Sequence, residues 1–147
     1  MILTVTLDED LAVARALRGL GLEVMVTGLV RDQALRRDAL AAGLRESLFE
    51  LTGPTLSISD WADFVGGFYA LAARASVVVL SGGLPEELPD DAFAQLIRTT
   101  GTPVVLWTSA PPPHAGIAAR PAAVATSMAE LTRTVTEMEE LHAHPDR

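Results

Sequence analysis

Apolar residues in this chain follow two rhythms, unbroken runs and stripes recurring every three or four positions, and the two alternate along its length. Unbroken β-branched runs mark strands buried on both faces of a parallel sheet, whereas the stripes mark amphipathic helices. Strands are predicted at residues 1–7, 22–27, 77–80, 103–108 and 122–126, with a short extended piece at 47–51. The first helix is predicted to start at a cap on Asp10, with Leu11, Ala14, Leu17 and Leu20 facing inward and Gly19 and Gly21 closing it. A second is predicted over 31–42, ending at Gly43, and another over 92–98, stopped by Gly101. The last opens at Ser127 and runs through Leu131, Val135, Met138 and Leu141. This alternation predicts an α/β fold with a mainly parallel sheet. It is expected to form one domain over residues 1–141, followed by a flexible tail at 142–147.

The strongest helical stripe is Trp61, Phe64, Phe68, Leu71 and Ala75, preceded by Ser57 and Asp60 in the arrangement of a capping box. Its aromatics are core residues by spacing, packed on the sheet that contains Val77 to Leu80, and not ligand stackers. That strand stops at Ser81-Gly82-Gly83-Leu84-Pro85, which is followed by Pro89 and a helix-capping aspartate at 90 or 91. Open α/β sheets bind ligands at the carboxyl ends of their strands. A small-residue turn with free backbone N–H groups also suits an anion. Ser81, Gly82 and Gly83 are therefore the leading candidate binding residues.

Composition narrows the chemistry. The 147 residues contain no cysteine, which removes disulfides, thiolate catalysis and cysteine-ligated metals together. All eleven basic residues are arginine, so Schiff-base catalysis and a P-loop lysine are excluded. A formal charge of -8 opposes phosphate backbones, and nucleic acid is not an expected partner. No apolar run approaches the roughly 18 residues needed to cross a bilayer. The first strand lacks a basic flank and meets acids at Asp8, so it does not read as a signal peptide. A cytoplasmic protein with no membrane partner is expected.

Other reactive residues have structural readings. Asp8, Glu9 and Asp10 form an acidic cluster that a cation could share with Glu130, but Asp10 reads as a helix cap and Glu130 as the partner of Ser127 in a capping box. Asp8 is retained beside Ser81, Gly82 and Gly83 as a candidate substrate-binding residue, and Glu130 as the single metal candidate. Ser81 lacks the G-x-S-x-G elbow of a hydrolase, and His114 follows three prolines in an expected exposed loop. His142 and His144 fall in the expected tail. No catalytic residue is assigned.

Several segments, in order, resemble the N-terminal half of a phosphofructokinase-B (PfkB) sugar kinase, and within that family the branch of 1-phosphofructokinase and tagatose-6-phosphate kinase. They are Met1 to Leu7, Glu50-Leu51 with Gly53-Pro54, Ser57 to Trp61, VVVLSGGLP over Val77 to Pro85, Pro89 to Arg98, Pro103 to Ser109 and Arg120 to Leu131. The resemblance implies a ribokinase-like three-layer α/β fold and, ancestrally, phosphate transfer from Mg·ATP to a sugar phosphate.

The departures from the family pattern are equally specific. Ala12 falls where the family carries a sugar-contacting aspartate, and the glycine-rich sugar segment that follows is absent. Gly43 passes to Arg45-Glu46 without the family's lid strands. Ala125, Thr126 and Ser127 replace its lysine, proline and asparagine, so of the Asn-x-x-Glu element only Glu130 remains. Trp107 replaces an aspartate, and no GAGD motif, with its anion hole and catalytic base, occurs. Phosphoryl transfer depends almost entirely on positioning and electrostatic stabilisation. The expectation is a truncated, catalytically inactive homologue needing neither ATP nor Mg²⁺, with weak binding of a sugar phosphate or of a partner as the function left to it. The competing readings are a receiver-like signalling module, which the missing lysine disfavours, and a homodimeric or partner subunit that completes its sheet with another chain.

Overall fold

The computed structural model describes residues 1–7, 10–31, 33–51, 53, 55–81, 88, 91–107 and 121–143. Among these, six strands and five helices follow one another as β1 (Ile2–Thr6), α1 (Ala12–Gly19), β2 (Val24–Val30), α2 (Ala34–Ala41), β3 (Arg45–Glu50), α3 (Ile58–Ala72), β4 (Val77–Ser81), α4 (Ala92–Thr99), β5 (Val104–Trp107), β6 (Ala123–Ala125) and α5 (Met128–Ala143). The strands form one sheet in the order β3-β2-β1-β4-β5-β6, and every pairing is parallel. Strand order therefore reverses between β1 and β4. Receiver domains reverse between their first and third strands instead, so the receiver-like reading does not fit this topology.

Alternation along the strands divides the core into two layers. Ile2, Val24, Val26, Val77, Val79 and Val105 pack with Leu17 of α1, Leu35 and Ala39 of α2, and Leu131 and Val135 of α5. On the opposite face Leu3, Val5, Val78, Leu80 and Leu106 pack with Phe64 and Phe68 of α3 and with Phe93 and Leu96 of α4. The result is an αβα sandwich in which β1 and β4 are buried throughout.

The α3 start is the capping box expected from Ser57 and Asp60, with Ser57 Oγ accepting the Asp60 N–H at 3.0 Å and Asp60 Oδ2 accepting the Ser57 N–H at 3.4 Å. The Trp61 ring lies 5.5 Å from that of Phe64 and donates its indole N–H to Gln95 Oε1 at 2.8 Å, which ties α3 to α4. Its structural reading holds.

Local details differ from the sequence expectations. Asp10 does not occupy the N-cap of α1, which falls to Leu11; its Oδ1 accepts the Ala12 N–H at 2.8 Å from one position earlier. Leu20 and Leu141, assigned to inner stripes, are 56% and 58% exposed, because each lies at or beyond the last turn that touches the sheet. Asp91 is the N-cap of α4, but its carboxylate accepts from Gln95 Nε2 and not from a helix N–H. Thr100, in an extended conformation, ends α4 before Gly101 is reached. β2 begins at Val24 and continues through Gly28 to Val30, beyond the expected end at Thr27. The final helix includes His142 and reaches Ala143. Gly43, at φ 74°, closes α2 as expected.

Candidate functional site

Strand order reverses between β1 and β4, and the helices that follow these strands, α1 and α4, pack on opposite faces of the sheet, the arrangement at whose carboxyl edge open α/β sheets bind ligands. The parallel register lines up one row of residues across that edge: Leu48, Gly28, Thr6, Ser81, Trp107 and Ala125, each paired with the next. Alternation places this row on the α1, α2 and α5 face. Large side chains flank it, but its centre is glycine, threonine and serine. The row thus narrows in bulk where the strand order turns.

Gly28 explains why β2 can lie so close to β1 there. A Cβ at this position would overlap the Thr6 carbonyl oxygen and crowd the Thr6 side chain. The constraint is close backbone approach. Thr6 and Ser81 are 2% and 4% exposed, and buried hydroxyls need partners. Thr6 Oγ1 accepts the Asp10 N–H at 2.9 Å, which fixes the chain where it turns from β1 toward α1. Ser81 Oγ donates to the Val5 carbonyl at 3.3 Å, a long bond that ties β4 back to β1. The half-buried Trp107 packs against the core on this face, but its Nε1 is buried and has no hydrogen-bond partner among the described residues. An unpaired indole donor beside a weakly engaged hydroxyl gives this edge hydrogen-bonding capacity that the described residues do not use.

Of the candidate residues, Ser81 stands in the centre of this row, while Asp8, Gly82 and Gly83 lie outside the described residues, as do Glu9, His114 and His144. Glu130 sits at the start of α5 with its carboxylate engaged: Oε2 accepts from both the N–H and the hydroxyl of Thr126 at 3.2 Å, while its own N–H donates to Ser127 Oγ at 3.1 Å. The capping reading therefore has geometry behind it, shifted by one residue because the carboxylate reaches Thr126 in place of Ser127. Among the described residues no group of three or more histidines and acids could hold a metal ion. None of their helices is long and apolar enough to cross a membrane.

Thr6, Gly28 and the Trp107 indole were not singled out as site residues by sequence. A signal existed for two of them: Thr6 is polar at the end of an apolar run, and Gly28 interrupts Val24 to Val30. A groove of about 310 Å³ also lies between β3 and α3, lined by Ser47, Phe49, Asp63 and Phe64, but its single acid faces no basic partner in that lining.

No protein-family model matches the sequence, and no curated protein matches it. Solved structures do. A possible 1-phosphofructokinase from Thermotoga maritima aligns with a TM-score of 0.70 at 16% identity, over 84% of this chain and 59% of that one. A mutant of phosphofructokinase-2 from Escherichia coli aligns at 0.60 and 15% identity, over 80% of this chain and 56% of that one. A dipicolinate synthase component from Bacillus halodurans aligns at 0.51 and 14% identity, over 94% of this chain and 43% of that one. This chain thus spans less than two thirds of each. Its six-stranded parallel sheet, with helices on both faces, has the α/β fold of the ribokinase-like sugar kinases over the part they share.

Proposed function

We propose that this protein is a sugar-kinase homologue that binds a phosphorylated sugar at the carboxyl edge of β1 and β4 and does not transfer phosphate. The observation that carries the reading is the row at the strand-order reversal, where the small residues Thr6, Gly28 and Ser81 stand beside a Trp107 indole that has no hydrogen-bond partner among the described residues. Fold likeness to a possible 1-phosphofructokinase supplies the ligand class. The sequence supports the loss of chemistry within the part that is shared: Ala12 and Trp107 stand where the resembled family carries aspartates, and Ser127 where it carries an asparagine.

Calorimetric titration with fructose 6-phosphate, tagatose 6-phosphate and fructose 1-phosphate, each with and without Mg·ATP, tests both halves. Saturable sugar-phosphate binding, unchanged by nucleotide and abolished by Gly83→Asp two positions past β4, is the expected result. Silence with all three sugars overturns the binding claim. Formation of ADP and a sugar bisphosphate overturns the claim of inactivity.

A further inference from the structure

An open parallel sheet has two edges, and each exposes a row of backbone groups able to pair with another chain. At β3 that row faces away from β2. The Leu51 N–H donates to Val30 O, so by alternation the N–H and C=O groups of Glu46, Leu48 and Glu50 point outward. Leu48 is the middle residue of that set, and both of its outward groups are occupied by side chains. Glu46 Oε2 accepts the Leu48 N–H at 3.0 Å, and Arg36 Nη2 donates to the Leu48 carbonyl at 3.0 Å.

The two capping side chains also hold each other. Arg36 Nε lies 3.2 Å from Glu46 Oε1, and Arg36 Nη1 donates to Gln33 Oε1 at 3.1 Å. Gln33 in turn donates to Glu50 Oε2 at 2.8 Å. Glu46 is the less exposed partner, with its side chain 17% accessible against 29% for Arg36. A charged pair anchored on α2 therefore lies along the outer rim of β3. We propose that Arg36 and Glu46 form a clamp that closes this edge, so that the sheet does not extend through β3 and a second copy of this chain can pair there only when the clamp is removed. At the other edge β6 is three residues long, which by itself leaves little backbone to pair.

The inference is independent of the sugar-phosphate reading. Amide hydrogen exchange on the wild-type protein is the direct test. The Leu48 N–H should exchange at least about tenfold more slowly than the Glu46 N–H, which faces the same way, and Glu46→Ala should remove that difference. Equal rates in the wild type would overturn the clamp whether or not any variant folds. Sedimentation then reads association. Wild type should keep one mass over a concentration series and ignore a peptide of residues 45–50, while Arg36→Ala/Glu46→Ala should dimerise or bind the peptide. Arg45→Ala, which breaks only the exposed pair with Glu23, should behave as wild type. A folded double variant with unchanged mass and no peptide binding would overturn the proposal, as would wild-type pairing through β3.

Discussion

The two ends of the β1 and β4 pair are built on opposite principles. At the amino end Ser76 is surrounded by partners: its N–H donates to the Met1 carbonyl at 2.8 Å, and its hydroxyl has two acceptors for its one proton, the same carbonyl at 2.9 Å and the carboxylate of Glu139 of α5. The Met1 ammonium lies 3.7 Å from Glu139 Oε1. At the carboxyl end Ser81 has its long bond to Val5, and the indole of Trp107, next to it on β5, has no partner among the described residues. Satisfied polar groups hold elements together, whereas unsatisfied ones leave interaction energy for something else. The contrast separates scaffold from site within a single pair of strands.

The harshest way to break it is Gly28→Ala. The added Cβ meets backbone and not a movable side chain, so β1 and β2 must separate there; a loss of about 3 kcal/mol or more is expected in urea denaturation. Gly66→Ala on exposed α3, with nothing near the new methyl, should instead stabilise by up to about 1 kcal/mol. At the opposite end, Ser76→Ala removes the hydroxyl that Glu139 accepts from, leaving that carboxylate its pair with the Met1 ammonium, and should cost about 1 kcal/mol by the same measurement.

Smaller changes sharpen the comparison. Ser127→Ala removes the acceptor for the Glu130 N–H at the start of α5, and a drop of about 1 kcal/mol is expected from thermal or urea melts. Trp107→Phe removes only an unpaired donor and a ring, so its stability should move by less than about 1 kcal/mol. Sugar-phosphate affinity should fall in that variant. A large loss of stability with unchanged affinity would place Trp107 on the scaffold side of the contrast.

The architecture was legible because Val77 to Leu80 and the stripe Trp61, Phe64, Phe68, Leu71 and Ala75 carry their packing in their own spacing. Helix ends were less so. Leu20 and Leu141 match the inward period, yet the sheet does not reach them, and nothing in a local pattern reports where a packing surface stops. At the site, Ser81 followed from strand chemistry, but Thr6, Gly28 and Trp107 belong to three other strands. Only the pairing register, a long-range property, brings them into one row. The charge pair on β3 was hidden for the same reason, since Arg36 and Glu46 lie on separate elements.

That β1 sits in the interior of the sheet also sets an order of events during synthesis. Strand β1 emerges first and can zip to β2 at once, but its other side waits for β4, and the Met1 to Ser76 contact spans 75 positions. Until the chain has grown past Ser81, a strand destined for complete burial keeps one row of backbone groups unpaired. Such delayed non-local closure makes slow folding and a vulnerable nascent chain the expected behaviour. Polypeptides stalled between β3 and β4 should therefore be the aggregation-prone species in a translation run of this protein.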